Sequence, residues 1–275
     1  MAMTPRLIDI SDRRQRNMDL FFYRSWRLAA PLLALLVAMT VLPLQSFGGQ
    51  ETFERTYPLA AGGRFLLENV TGSVQVEGWD RNAVEVRAVK RTKSDPVDLA
   101  AVTVEVQSQP DQVSVRTRYP KGGGADVAVE YHIYVPSRVL LSSVKTVNGS
   151  VSVHGIEGMG ELHSVNGDVE VLKSSGRFSA QTTNGNLHLE LSGLEDGMPM
   201  NLETVNGSVL LGLPSSAAAN LTVLNLNGEF SSELPVTPSR SGSLHGFRGK
   251  IGTGGDEITL RTTNGVVHLI REPGI

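Results

Sequence analysis

Two histidines, His188 and His268, occupy the same position of a repeated sequence pattern, three residues after a glycine. Imidazole is a common ligand of transition metals, so two histidines in one row raise the question of a shared ion. If every repeat forms one layer of a stack, the two histidines are four layers apart, which is about 19 Å. One ion cannot bridge that distance. We therefore predict no metal site and expect both side chains to face solvent.

Four carboxylates occupy variable positions of the same repeats, namely Asp168, Glu170, Glu190 and Glu203. A glycosidase needs clustered carboxyl groups at the scissile bond, together with aromatic side chains against which sugar rings pack. After Gln50 the chain has one tryptophan, Trp79, and its aromatic residues become rare within the regular repeats. We expect these carboxylates to be solvated surface charges.

Other reaction chemistries lack their residues. The chain has no cysteine, which excludes a thiolate nucleophile, a thiolate metal site and a disulfide framework. No serine stands in a Gly-x-Ser-x-Gly context, and Gly249-Lys250-Ile251 lacks the hydroxyl residue and glycine spacing of a phosphate-binding loop. We predict no catalytic residue, no cofactor-binding residue and no cofactor.

The elements that position these residues are marked by recurring Asn-Gly pairs. The six pairs are Asn148-Gly149, Asn166-Gly167, Asn184-Gly185, Asn206-Gly207, Asn227-Gly228 and Asn264-Gly265. Successive pairs are 18, 18, 22, 21 and 37 residues apart, and His245-Gly246 divides the last interval into 18 and 19. A nearly fixed period of this length indicates repeated β units.

Five of the pairs lie in the pattern Ser/Thr-x-Asn-Gly-x-aliphatic-x-aliphatic. Asn and Gly tolerate positive φ, so the pair predicts a sharp corner, after which the aliphatic residues share one inward face. Val in place of Gly167 or Gly185 is accordingly expected to cost about 1–3 kcal/mol, by forcing a β-branched residue into positive φ.

Two all-β folds satisfy this pattern. Asn-Gly between alternating strands is a strong hairpin signal, which allows an antiparallel β-meander. In a β-solenoid, a stack similar to a single-stranded β-helix, each repeat is one coil and equivalent positions align. The uniform turn chemistry and the refilled inward positions favour the solenoid.

The preceding residues, 51–141, read as alternating strands without a fixed repeat length. Val70-Thr71-Gly72-Ser73-Val74 is a looser copy of the later pattern. We predict one domain with an irregular β part at 51–141 and a regular repeat part at 142–272.

Ahead of this domain, residues 1–27 carry six Arg against three Asp, and residues 28–44 are uncharged and apolar. Seventeen apolar residues lie between the lengths of a signal peptide and of a membrane-spanning helix. The positive flank predicts a cytoplasmic tail at 1–27, with everything after Gln50 outside the cytoplasm. Both a retained membrane anchor and cleavage near Gly49, which gives a secreted or periplasmic protein, stay open.

The repeated Thr-x-Asn-Gly-x-Val/Leu-x-Val/Leu unit resembles the bacterial putative-adhesin family, the DUF4097 domain. Gly78-Trp79-Asp80 and the glycine-rich stretch from Ile251 to Gly255 are also similar to that family. The resemblance extends from about Glu51 to Leu269. It implies an extracytoplasmic, solenoid-like domain behind a signal or anchor, for which no catalytic residues are defined.

These observations predict a non-enzymatic, exported, adhesin-like protein that serves as a scaffold or interaction surface at the cell envelope. Its expected partner is a protein or glycan of the envelope. Nucleic acid is not expected, because residues 28–275 carry 19 basic and 25 acidic side chains, a balance of −6. The alternatives are a carbohydrate-active β-helix enzyme and a regulatory partner in envelope-stress signalling.

Overall fold

The computed structural model describes residues 49–122, 125–195, 197–239 and 246–272. The predicted tail, the apolar segment 28–44 and His245 lie outside these ranges, and the proposed cleavage near Gly49 falls at the first described residue. Within them, no helix has the length and apolarity needed to cross a membrane.

The described residues form twenty strands and one short helix, α1 (Asp98–Ala101). The strands are β1 (Gly49–Pro58), β2 (Arg64–Glu68), β3 (Val74–Trp79), β4 (Ala83–Thr92), β5 (Thr103–Gln109), β6 (Gln112–Arg118), β7 (Val127–Pro136), β8 (Arg138–Lys145), β9 (Val151–His154), β10 (Glu157–His163), β11 (Val169–Asn184), β12 (Leu187–Gly193), β13 (Met200–Asn206), β14 (Val209–Leu213), β15 (Ala219–Asn227), β16 (Phe230–Ser232), β17 (Val236–Pro238), β18 (Gly246–Ile251), β19 (Glu257–Asn264) and β20 (Val267–Arg271).

Each coil of the regular part has two strands joined by an Asn-Gly corner, as β13 and β14 are joined at Asn206-Gly207. The strands before the corners pair in sheet B and those after the corners pair in sheet A, while the long β11 contributes to both. Sheet A runs β1, β4, β7, β3, β9, β11, β12, β14, β20, β16. Sheet B runs β5, β6, β2, β8, β10, β11, β13, β19, β15, β18, β17.

Equivalent strands of neighbouring coils pair in parallel, with corresponding residues in register. Val169 lies beside Val151, and Leu187 lies beside Val169. A parallel pair cannot be closed by a two-residue turn, since the chain must first cross to the other sheet. The predicted all-β solenoid is therefore confirmed, and the antiparallel meander is excluded for the repeats.

The aliphatic residues after each corner form the core between the two sheets. Val151 and Val153, two and four residues after Gly149, are both fully buried. From sheet B, Leu162, Ala180 and Leu202 are also fully buried. The period-two alternation of these strands thus separates a continuous aliphatic interior from two outer faces.

The order of layers in space differs from the order of repeats along the chain. β19 and β20, the last two strands, lie between the coil of β13 and β14 and the coil of β15 and β16. The corner asparagines follow this order: Asn264 Nδ2 donates to Asn206 Oδ1, and Asn227 Nδ2 donates to Asn264 Oδ1, both at 2.8 Å. The final repeat is an internal layer of the stack.

An engineered disulfide distinguishes this layer order from the sequential one. In a chain without native cysteines, the pair Asn206→Cys with Asn264→Cys is expected to oxidise readily, because directly opposed residues are about 5 Å apart. The pair Asn206→Cys with Asn227→Cys is two layers apart and is expected to stay reduced. Mobility on non-reducing gels reports both, and the reverse result would contradict the inserted layer.

The corner glycines are required by the close approach of neighbouring layers. A Cβ on Gly185 would lie 2.6 Å from the carbonyl carbon of Gly167 and would overlap its oxygen. Gly149, Gly185, Gly207 and Gly265 do not have positive φ, and Lys173 is the one described non-glycine residue that does. Positive φ is therefore the wrong reason for glycine at these four corners, although glycine is still required there by the contact between layers.

Hydroxyl side chains complete five of the six corners, and the Asn225 amide takes their place at Asn227-Gly228. Thr182 Oγ1 donates to the carbonyl of Gly167, and Thr204 Oγ1 donates to that of Gly185, both at 2.9 Å. The Ser/Thr of the sequence pattern thus bonds to the glycine of the preceding layer, which explains why the two residue types recur together.

The N-terminal part closes the stack with antiparallel strands. β4 pairs antiparallel with β1 and β7, and β5 pairs antiparallel with β6, while β3 joins the parallel stack beside β9. The looser copy at Val70–Val74 forms a true layer, since Thr71 bridges Asn148 in parallel. The boundary predicted between residues 141 and 142 falls inside β8.

Candidate interaction surface

The outer face of sheet A carries one side chain per layer in a straight row. Because the inward residues alternate with outward ones, each layer presents the residue three positions after its corner glycine. We call this set the outer row; from β3 to β20 it consists of Gln75, Ser152, Glu170, His188, Leu210 and His268. Five layer spacings of about 4.8 Å make it about 24 Å long.

His188 lies between two carboxylates at the centre of the outer row. Its Nε2 is 2.8 Å from Glu190 Oε1, and its Nδ1 is 3.4 Å from Glu170 Oε1. All three side chains remain about one-third or more exposed. Burial, and secondarily the Glu190 carboxylate, raises the pKa of the nearby Glu272. Glu170 and Glu190 are solvent-exposed, and both flank the imidazole.

The distance predicted between His188 and His268 is wrong. Leu210 pairs with both residues, so the two histidines are two layers apart, or about 10 Å. The separation is half of what the repeat count indicates for two reasons: the final layer is inserted before the Asn227 coil, and β18, which begins at Gly246, pairs antiparallel with β15 and adds no coil. His268 instead contacts Ser231 of the following layer. Among the described residues, no group of three or more His, Asp or Glu side chains has a metal-binding arrangement.

The remaining two predicted carboxylates, Asp168 and Glu203, lie on different parts of the surface. Asp168 Oδ1 accepts the backbone N–H of Asn186 at 2.6 Å, beside the corners of sheet A. Glu203 lies on the outer face of sheet B, 3.8 Å from Arg261. Asp168 lines the same pocket as Glu170 and His188, whereas Glu203 is on the other sheet, so the four carboxylates do not form one cluster.

One cluster of aromatic side chains lies at the N-terminal end of sheet A. Tyr134 stacks on Trp79 with ring centroids 5.4 Å apart, and Arg81 lies 4.8 Å from the centre of the Trp79 rings. Arg87 lies over Tyr134 in turn. The indole already has stacking partners, so this cluster does not offer the open platform that sugar rings require.

A pocket of about 300 Å³ opens on the outer face of sheet B. Its walls include Leu140, Met159, Glu161 and Arg177 on three adjacent strands, and Met198 on the segment between β12 and β13. The segment exists because the spacing between corners grows from 18 to 22 residues after Asn184. That longer interval was the one signal in the sequence for this pocket.

Arg177 holds this segment against the sheet. Its side chain is only 3% exposed; Nη2 is 3.1 Å from Asp256 Oδ2, and Nε donates to the carbonyl of Glu195. The same Asp256 oxygen accepts the backbone N–H of Gly197 at 2.6 Å. Sequence reasoning missed Arg177, because its position in the repeat is outward and predicts a solvated charge.

The pocket also coincides with an irregularity of β8. The parallel registers of β8 with β2 and with β10 both shift beside Ser142 and Ser143. Such a bulge re-aims side chains and is frequent next to binding sites. The backbone of β8 thus departs from the regular coil at the pocket wall.

A stack of two-strand coils with parallel, in-register layers makes this protein a β-solenoid. The model of the Toastrack DUF4097 family matches residues 68–269, and the chain belongs to that family. This confirms the resemblance stated on the Thr-x-Asn-Gly repeats. No protein of curated function matches the chain significantly.

Several solved structures are similar in fold. A "putative cell adhesion protein" from Clostridium sporogenes shares 13% identity at a TM-score of 0.48, covering 81% of this chain and 100% of its own. A "putative adhesin" from Bacteroides fragilis shares 10% at 0.39, covering 81% and 97%. A "putative lipid binding protein" from Parabacteroides distasonis shares 12% at 0.34, again covering 81% and 97%. Likeness at this level carries no argument about function.

Proposed function

We propose that this protein is a non-enzymatic interaction protein of the cell envelope that binds an envelope protein or glycan through the outer row of sheet A. The observation that carries the proposal is the row itself. It presents a line of polar side chains at a constant layer spacing, interrupted by Leu210 alone. A surface of this kind suits an extended partner better than a small substrate.

The surroundings of His188 support binding without catalysis. A half-open pocket of about 360 Å³ beside it is lined by Ser150, Ser152, Asp168, Glu170, Asn186 and His188, together with two buried valines. Two carboxylates flank the imidazole, and neither faces an enclosed volume from which water is excluded. Acid–base catalysis would require a bound substrate held between such groups.

We also propose the membrane topology that the sequence predicts. Residues 1–27 would form a cytoplasmic tail, and residues 28–44 an anchor or a cleaved signal that places the solenoid outside the cytoplasm. The excess of acidic residues after position 27 supports a partner other than nucleic acid.

Site-specific photo-crosslinking in producing cells tests the proposed surface. A photoreactive phenylalanine analogue at Ser152 or at His268 is expected to yield a discrete adduct, whose mass identifies a protein or a glycan. The matched control is Gln181, which is exposed on the outer face of sheet B. Equal labelling from Gln181 and from the outer row would rule out sheet A as the binding face.

A further inference from the structure

The pocket beside Arg177 is separate from the outer row, since it opens on sheet B. Its volume of about 300 Å³ is at the lower end of the range for small-ligand sites, about 300–1,000 Å³. It is large enough for one side chain with its peptide group, and too small for a whole protein or an acyl lipid.

Arg177 leaves one donor of this pocket without an acceptor. Its Nε and Nη2 are hydrogen-bonded, whereas Nη1 is buried and has no partner among the described residues. An unpaired buried N–H is costly, and such groups are rare in folded proteins. Nη1 has no exposed surface, so a ligand oxygen completes the set only when the side chains that cover it move aside.

The charges at the pocket disfavour an anionic ligand. Asp256 already compensates the Arg177 guanidinium, and the exposed Glu161 carboxylate adds a further negative charge at the wall. The net charge of Arg177, Asp256 and Glu161 is −1. A neutral oxygen, such as a carbonyl, satisfies Nη1 without repulsion from Glu161, and an N–H group of the same ligand can donate to that carboxylate.

Apolar side chains supply the rest of the pocket wall. Leu140 and Met159 lie on the sheet, while Met198, which is 52% exposed, and Pro199 lie on the covering segment. Methionine is unbranched and adapts to differently shaped apolar partners. An exposed methionine at the mouth of a pocket is therefore suited to close over an incoming apolar group.

We propose that this pocket binds a peptide segment of a partner protein, taking one apolar side chain between Met159 and Met198 and accepting the Arg177 Nη1 hydrogen bond on a peptide carbonyl. A peptide group offers an acceptor and a donor close together, as Arg177 and Glu161 require. The assignment does not depend on the outer row, and either surface can fail its test while the other stands.

Methionine methyl NMR on the full chain tests the pocket with N-acetyl-leucine amide as the probe. Of the seven methionines, Met159 and Met198 line the pocket, and Met200 is fully buried in the core, which makes it an internal reference. The methyl signals of Met159 and Met198 are expected to shift saturably while that of Met200 stays in place. Absence of a saturable shift, or an equal shift at Met200, would overturn the proposal.

One charged analogue and one glycine analogue of the probe test which chemical groups the pocket recognises. N-acetyl-leucine, which is anionic, is expected to bind at least about threefold more weakly than the neutral amide, and N-acetyl-glycine amide is expected to leave both methyls unshifted. Tighter binding of N-acetyl-leucine would replace the peptide assignment with an anion site. Equal binding of the glycine analogue would remove the role of the apolar wall.

Substitutions at two exposed residues test whether the probe binds in the pocket, and neither is expected to disturb the fold. Met198→Ala is expected to weaken binding about fivefold to tenfold through loss of apolar contact. Leu226→Ala, at a residue 57% exposed on a corner outside the pocket, is the matched control and is expected to change nothing. Equal affinities of the two variants would contradict the pocket as the binding site.

Discussion

Gly207→Ala is expected to lower the free energy of unfolding by about 3 kcal/mol or more, among the largest effects of a single methyl group in this protein. A Cβ at this position would lie 2.6 Å from the carbonyl carbon of Gly185 and would overlap its oxygen. Both atoms belong to backbone held in parallel pairing, so two layers have to separate to admit the methyl group. Urea unfolding followed by circular dichroism measures the change.

Gly193→Ala is the matched control. Gly193 ends β12, does not have positive φ, and a Cβ there would have Ser175 Cβ at 3.8 Å as its one neighbour, an ordinary contact. The Gly193→Ala variant is expected to change the free energy of unfolding by less than about 1 kcal/mol. If both alanines had the same effect, layer contact at the corner would not be the reason for glycine.

Arg177→Met is expected to destabilise the protein by about 2–4 kcal/mol, because it removes one partner of a largely buried ion pair. Asp256 would lose its cation, and the Glu195 carbonyl would lose its donor. The value is below that of a fully buried pair, since Asp256 is 36% exposed. The segment between β12 and β13 is expected to lose hydrogen-exchange protection with it.

Arg138→Met provides the comparison for that result. Arg138 pairs with Glu157 at 3.2 Å on the same sheet, but its side chain is 76% exposed. Exposed pairs of this kind contribute between about 0 and 1 kcal/mol, and a loss in that range is expected. A comparable loss for both arginines would show that Arg177 does not clamp the segment.

The repeats predicted the fold because each coil has the same residue types at its corner and in its interior. The Thr-x-Asn-Gly pattern marks every corner, and the alternating aliphatics mark the interior, so strands and core could be read from residues such as Val169 and Leu187. The sequence could not show why these residues are glycines, because a close contact between layers and a positive φ both require glycine.

The candidate surfaces were less accessible to sequence reasoning. Glu190 follows His188 by two residues on the same strand, whereas the contact with Glu170 depends on register between layers. A list of spacings describes that register only when neighbours in sequence are neighbours in space. That condition fails at His268, whose layer is inserted. The Arg177 pocket depends on Asp256, 79 residues away along the chain, and no local pattern connects the two.

The position of β19 and β20 has a consequence for how the molecule is made. Chains emerge from the ribosome N-terminus first, and a solenoid can begin to fold as its early coils appear. Here β15 and β16 leave the ribosome before the layer on which they rest. Their parallel partners, β19 and β20, are synthesised after them, so one end of the stack can close only once translation has passed residue 271. This end of the stack therefore matures only after its internal layer has been synthesised, and a chain interrupted before Glu257 would display β14 as an open template for pairing.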